Sequence, residues 1–247
     1  MGSVVDASAK EVDALLNEQQ LVAEQHKVTR REITVIGIVL AGAFLAILNQ
    51  TVLSPALPKL MDAFSISAGT AQWVTSIYML VNGIMVPITG FLIDRFSTRK
   101  LFFVSLMSFI VGTALCAGAP TFELLIVGRV LQAAGAGVQL PLVGVVPMLI
   151  FPPEKRGTAM GLFGIVIAFG PAIGPTVAGV IIDRYTWHDM FYIITALSAV
   201  VVLIGAFVLQ KGGETKKDVT LDVPSVILSS LGFGGLLYGL STIGSYG

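Results

Sequence analysis

The chain has 247 residues, of which 55% are hydrophobic and 12% are charged. An ordinary soluble domain is about 25% charged, so this composition argues against a water-soluble globule. Fifteen Lys and Arg residues balance fifteen Asp and Glu residues, and this neutral balance gives no electrostatic reason to expect nucleic acid as a partner. The single cysteine, Cys116, excludes an intrachain disulfide and a cysteine-rich metal site, and no cofactor is expected.

Seven stretches without a charged residue follow a polar N-terminal segment. Each is at or above the roughly 20 residues that cross the hydrocarbon core of a bilayer. The stretches are 33–58, 63–93, 101–122, 130–153, 157–182, 190–210 and 223–247. The sequence therefore predicts an all-α membrane protein with a cytosolic tail over 1–32, a six-helix bundle over 33–210, a cytosolic linker over 211–222 and a seventh transmembrane helix over 223–247, after which the chain looks truncated.

The positions of the basic residues predict the orientation of the spans, because Lys and Arg are retained on the cytoplasmic side during insertion. With the N-terminus inside, twelve of the fifteen Lys and Arg residues fall in inner segments, whereas Lys59 and Arg184 fall outside. Trp73 and Trp187 lie at predicted outer ends, where an indole ring can be buried while its N–H stays hydrated. We therefore expect a multi-pass protein of the cell membrane with a cytoplasmic N-terminus and with residues 59–72 outside.

The predicted loop between the second and third spans carries a dense cluster of charges. Asp94 follows four residues after Gly90 and precedes Arg95, Arg99 and Lys100. A glycine allows another helix to approach closely, and a carboxylate beside cations at a membrane edge can hold a cytoplasmic gate. Positive-inside anchoring also explains the cations, but it gives no reason for the spacing of Gly90 and Asp94, so both interpretations stay open.

Arg129 falls within the predicted fourth span, where a charged side chain costs about 2.5 to 3.5 kcal/mol on insertion scales. It requires a partner or an aqueous cavity, unless it extends to the outer surface. Gln132 and Gln139 are seven residues apart on one face of the same helix, which favours a cavity-lining role for Arg129 over extension to the outer surface. Asn49 and Gln50 of the first span also favour an inward orientation, although packing against neighbouring helices explains them equally well.

The predicted fifth span contains two pairs of residues that affect helix packing. Gly170 and Gly174 are four residues apart, as are Pro171 and Pro175. Small residues at this spacing permit close contact between helices, and proline bends a helix by removing a backbone donor. Close packing alone accounts for the pattern as well as a specific functional role does.

Four of these segments, in chain order, resemble motifs of the major facilitator superfamily. Residues 48–58 are similar to the first-helix signature of its fourteen-span drug:proton antiporter branch. Residues 90–100 are similar to the loop signature of the family, with Ser97 in place of the usual glycine. Residues 128–137 resemble the fourth-helix motif with its intramembrane arginine, and 170–175 resemble the fifth-helix antiporter motif.

The resemblance implies one half of a secondary transporter that exports amphipathic or drug-like solutes in exchange for protons by alternating access. It implies gating by the loop cluster, proton or substrate coupling through Arg129, and a tightly packed fifth helix that seals the pathway. The family commonly has an acid where Asn49 stands, and an amide carries no proton at physiological pH. The expected partners are the lipid bilayer, a small solute, protons, and a missing C-terminal half or a second chain.

Two hypotheses from other classes of protein are alternatives to transport. One is a truncated, non-transporting fragment or a half-protein that acts in assembly or regulation. The other is an intramembrane enzyme, which needs a nucleophile with a base, paired acids or a metal-binding triad within the spans. The sequence has no deep pair of acids, no pair of membrane histidines and no His-Glu-x-x-His motif, so neither an enzyme nor a metal site is expected.

Overall fold

The computed structural model describes residues 29–151 and 153–209, together with scattered positions between 224 and 239. Throughout these ranges the chain forms helices and short connections, with no strand, which confirms the predicted all-α fold. In chain order the helices are α1 Arg30–Val52, α2 Leu57–Phe64, α3 Ala68–Arg95, α4 Thr98–Ala117, α5 Phe122–Ile150, α6 Pro153–Arg184 and α7 Trp187–Val208.

Six candidate membrane spans occur in the described part of the chain, each with a mean hydropathy between 1.5 and 2.5. The first combines α1 and α2 through a short 3-10 turn at Ser54–Ala56, and α3 to α7 provide one span each. The predicted N-terminal tail and the linker over 211–222 lie outside the described residues. The described positions of the predicted seventh helix are helical, but its remaining residues also lie outside the described ranges.

The connection between the first two spans is short. Within the segment 59–72, which is expected outside the membrane, α2 continues to Phe64 and α3 begins at Ala68. Ser65, with φ of 52°, ends α2 in the left-handed conformation, and the hydroxyl of Ser67 caps the N-terminus of α3. The charges in this segment are exposed at the helix end, so they do not interrupt the helix.

α5 is the central helix of the bundle, with extensive contacts to α4, α3 and α1. Small residues let α4 and α5 approach closely. A methyl group added at Gly128 would lie 2.8 Å from the carbonyl oxygen of Gly112 and 2.6 Å from Sγ of Cys116. Around this core, α1 packs against α6 and α7, and α4 packs against α7.

Candidate functional site

Arg129 lies on α5 and is fully buried. Its Nε donates a hydrogen bond to the carbonyl oxygen of Val74 on α3, at 3.0 Å. Its Nη1 donates to Oδ1 of Asn49 on α1, at 2.6 Å, and to Oε1 of Gln132, at 2.9 Å. One side chain therefore connects three helices, and it takes partners in the interior instead of reaching the outer surface.

An aromatic ring completes the environment of the Arg129 guanidinium. Its Cζ lies 4.2 Å from the centroid of the Tyr78 ring, a distance at which the face of the ring attracts a cation. The Tyr78 hydroxyl donates to the carbonyl oxygen of Ala46 on α1, at 3.2 Å, which fixes the ring. Among the described residues, no carboxylate is a hydrogen-bond partner of Arg129, so this buried cation rests on neutral groups.

Side chains from α4 hold the amide of Gln132 in place. Its Nε2 donates to Oγ1 of Thr113, at 2.8 Å, while its Oε1 accepts from Arg129. The Thr113 hydroxyl in turn donates to the carbonyl oxygen of Phe109, at 2.6 Å. The Cys116 thiol lies 3.7 Å from Oε1 of Gln132. Because both ends of the amide are engaged, its oxygen is fixed in the orientation that accepts from Arg129.

Four buried polar atoms near this face of α5 have no partner among the described protein atoms. They are Nη2 of Arg129, Nδ2 of Asn49, and both Nε2 and Oε1 of Gln139. Gln139 lies two helical turns from Gln132, beside Gly42 of α1, where a methyl group would lie 2.9 Å from its Oε1. An unsatisfied buried polar group costs about 1 to 3 kcal/mol, so these atoms are the donors and acceptors that the bundle leaves unused.

The structure brings together only part of the pathway residues that the sequence suggested. Asn49, Arg129 and Gln132 are in direct contact, whereas Gln139 lies farther along the same helix. Gln50 is half-buried and is not a hydrogen-bond partner of Arg129.

Sequence reasoning missed three members of the network. Tyr78 and Thr113 carry a hydroxyl within an apolar span, the same signal that singled out Asn49. The third is the backbone carbonyl of Val74, which leaves no trace in the sequence.

The loop cluster lies at the end of the bundle where α3 stops and α4 begins. Asp94 and Arg95 are exposed in the last turn of α3, and the hydroxyl of Ser97 caps α4. This cap gives a physical reason for serine where the motif usually has glycine. The expected close helix approach at Gly90 is not made in the described part of the chain, because Gly90 faces outward and an added methyl group would meet nothing within 4 Å.

The small residues of α6 pack tightly on α1. Methyl groups added at Gly170 and Gly174 would collide with the side chains of Ile47 and Thr51 respectively. The Thr51 hydroxyl also lies 3.4 Å from the carbonyl oxygen of Gly170. Pro171 and Pro175 are exposed on another face of the helix. The close packing that the sequence suggested is therefore present.

The tryptophans at the predicted outer ends differ from each other. Trp187, in the first turn of α7, is buried and stacks on His188 with a ring separation of 3.5 Å. It also packs at 5.5 Å from the ring of Phe64 at the end of α2. Trp73 is 37% exposed. Trp187 thus packs the end of the first described span against α7.

Six apolar helices that enclose a buried arginine and its partners are typical of a multi-pass membrane protein. Residues 39–245 match the family model described as Major Facilitator Superfamily. The chain therefore belongs to this superfamily of membrane transporters.

Several curated relatives are similar along most of this chain. The chain is 51% identical over 213 residues to the uncharacterized MFS-type transporter YcnB of Bacillus subtilis, covering 86% of this chain and 45% of that protein. It is 42% identical over 230 residues to the lincomycin resistance protein LmrB of Bacillus subtilis, covering 93% and 47%. It is 34% identical over 195 residues to the multidrug export protein EmrB of Haemophilus influenzae, covering 79% and 38%. The chain spans about half or less of the length of these relatives.

Solved structures show the same fold at low sequence identity. A bacterial homologue of the human lysosomal transporter Spinster, inward-facing and unoccupied, superposes with a TM-score of 0.61 and 18% identity, covering 81% of this chain and 47% of that one. The human organic anion transporter MFSD10 gives a TM-score of 0.66 and 16% identity, covering 81% and 54%. The bundle is therefore the six-helix N-terminal half of the major facilitator fold, as the resemblance implied.

Proposed function

We propose that this chain forms the N-terminal half of a secondary transporter that exports drug-like or amphipathic solutes across the cell membrane in exchange for protons. The observation that carries the proposal is the buried Arg129, held by neutral partners on three helices of a bundle of this family. The relatives named for lincomycin resistance and multidrug export support the substrate class. A truncated, non-transporting fragment or an assembly or regulatory half-protein is the alternative.

Arg129 acts in this proposal as a fixed positive charge, because a guanidinium is not deprotonated in proteins. It cannot carry the transported proton, and Asn49 beside it cannot either. Glu123 lies exposed in the first turn of α5, too close to the bundle end to serve alone. We infer that the titratable group comes from outside the described residues.

The loop cluster acts as a gate between two halves. Asp94, Arg95, Arg99 and Lys100 are at the bundle end that we place on the cytoplasmic side, where the outward face of Gly90 is free for a helix of another half. Rocking of two halves against each other would make and break that contact during alternating access. Gly170 and Gly174, packed on α1, keep the pathway sealed while it reorients.

A complete pathway needs a second half, because secondary transporters bind their solutes between repeats. We expect this chain alone to be inactive and a pair with a matching C-terminal half to transport. The test joins residues 1–247 to the C-terminal half of the Bacillus subtilis LmrB and measures lincomycin accumulation in cells. We expect cells with the joined protein to accumulate less lincomycin, and a protonophore to remove this difference. Cells with residues 1–247 alone should accumulate as much lincomycin as cells without the protein.

The same assay separates the alternatives. Arg129→Met in the joined protein should abolish export, whereas Arg184→Met, which removes an exposed arginine at the end of α6, should not. Proton-coupled transport by the purified chain in liposomes would overturn the need for a second half, and would point to a homodimer. A chain that never transports but lowers the export activity of an intact relative would favour the regulatory alternative.

A further inference from the structure

A groove of about 270 Å³ runs between α3, α4 and α5, beside the loop cluster. Leu92 of α3, Val104 of α4 and Val138 of α5 are among its lining residues, and its walls are almost entirely apolar. Val104 is 59% exposed, so the groove opens onto the outer surface of the bundle, which faces lipid in a membrane. An apolar groove open to the bilayer is filled by an apolar chain rather than by water.

The two serines in the wall do not present polar groups to an occupant. The hydroxyl of Ser105 donates to the carbonyl oxygen of Phe102, at 3.0 Å. The hydroxyl of Ser108 donates to the carbonyl oxygen of Leu131, at 2.9 Å. The walls therefore suit a hydrocarbon along their whole length.

A single cation stands at one end of the groove. Lys100 is exposed, and its Nζ lies 4.8 Å from the ring of Phe96, which also lines the groove. Lys100 lies in the first turn of α4, where the helix dipole adds positive potential. Within the described part of the chain, no acidic side chain forms an ion pair with Lys100 that would neutralise it.

The length of the groove fits one leaflet of a bilayer. From Lys100 to Ser108 the axis of α4 rises by about 12 Å. Half of the hydrocarbon core of a bilayer is about 15 Å thick. With Lys100 at the headgroup level, the groove reaches most of the way to the bilayer midplane.

We propose that this groove is a binding site for one anionic phospholipid, with its phosphate on Lys100 and one acyl chain lying between α4 and the facing sides of α3 and α5. A zwitterionic lipid has the same phosphate, but its amine offsets the attraction to Lys100. The described part of the predicted seventh helix does not fill the groove. None of its described residues lines the groove. Its Gly234 lies nearest to Ile84 and Leu80, which are about 100° and 140° around α3 from the groove-lining Met85.

Native mass spectrometry of the purified full chain tests the proposal with two probe lipids of identical acyl chains, phosphatidylglycerol and phosphatidylethanolamine. We expect one phosphatidylglycerol to be retained under conditions that remove phosphatidylethanolamine. Lys100→Gln should weaken its retention about fivefold, whereas Lys59→Gln, which removes an exposed lysine from α2, should not. Equal retention of the two lipids, or of phosphatidylglycerol by wild type and Lys100→Gln, would overturn the proposal.

A second pair of variants tests the acyl-chain part of the site. Val104→Trp fills the groove and should abolish retention, while Val111→Trp, two turns along α4 at a 46% exposed position, should not. Because a tryptophan can disturb folding, the wild-type chain is also cross-linked to phosphatidylglycerol with a photoreactive group midway along one acyl chain. Cross-links at 101–108 of α4 and at facing residues of α3 and α5 are expected; cross-links spread evenly over the bundle would overturn the site.

Discussion

Arg129 and the loop cluster both carry positive charge, and they differ in where their contacts are made. Arg129 is fully buried, and partners on three helices of the same half account for its position. The loop cluster is largely exposed, and nothing in the described residues contacts the outward face of Gly90.

Arg129 thus belongs to what the described bundle needs in order to fold, and the loop cluster to what it would offer to a second half in the proposed transporter. Removing a partner of Arg129 leaves further buried polar groups unpaired, so the network contributes to the stability of the bundle. Because contacts within the described half do not explain the spacing of Gly90 and Asp94, we infer that their contacts are made with a surface outside it.

The proposed gate requires the loop cluster to lie on the cytoplasmic side of the membrane, and cysteine labelling tests this. On a Cys116→Ala background, a single cysteine at Ser67 should react fully with an impermeant thiol reagent added outside cells. A cysteine at Asp94 should react only after the membrane is permeabilised. This all-or-none difference follows from the excess of basic residues in the predicted inner segments. Labelling of Ser67 from the cytoplasm alone would invert the topology and remove the cytoplasmic gate.

Truncating the buried arginine should have the largest effect on stability. Arg129→Met removes three hydrogen bonds from a charged donor. It leaves Oδ1 of Asn49 unpaired, whereas Oε1 of Gln132 keeps the Cys116 thiol and the carbonyl oxygen of Val74 keeps its partner within α3. At about 1.5 to 3 kcal/mol for a hydrogen bond to a charged group, the bundle should lose about 3 kcal/mol. Denaturant unfolding of the purified chain in detergent measures the loss. A change below about 0.5 kcal/mol, as expected for a surface position, would show that Arg129 is not structurally required.

Two matched glycine substitutions compare the packing of the bundle interior with that of the face at Gly90. Gly128→Val forces a side chain between α4 and α5 and should destabilise the bundle by about 1 to 3 kcal/mol. Gly90→Val adds the same side chain where nothing lies within 4 Å, and it should leave the unfolding of this half nearly unchanged. In the joined transporter, however, Gly90→Val should impair export if another half packs there. Equal destabilisation by both substitutions would remove the distinction between the two regions.

The sequence predicted the six described spans and three members of the central network. A charge or an amide within an apolar span is a strong signal, because burying it requires a partner. The identity of the partners was less accessible. Val74 lies 55 residues before Arg129 in the chain, and Asn49 lies 80 residues before it, so only the packing of the helices brings them together.

Composition shows where a close contact is possible, and packing decides where it forms. Gly90 permits a close helix approach, but no described residue makes one there. Gly170 and Gly174, with the same four-residue spacing, do make close contacts with α1.

Neutralising the loop carboxylate should have the smallest effect on the fold and a clear effect on function. Asp94 is exposed, so Asp94→Asn should change the unfolding free energy of this half by less than about 0.5 kcal/mol. Insertion should also be unchanged, because Arg95, Arg99 and Lys100 still supply the positive-inside signal. In the joined transporter, export should fall at equal membrane abundance, while Asp62→Asn, an exposed acid on α2, should be neutral. Wild-type export by Asp94→Asn would leave the loop as a topological anchor and would restrict the functional centre to the buried network of Arg129.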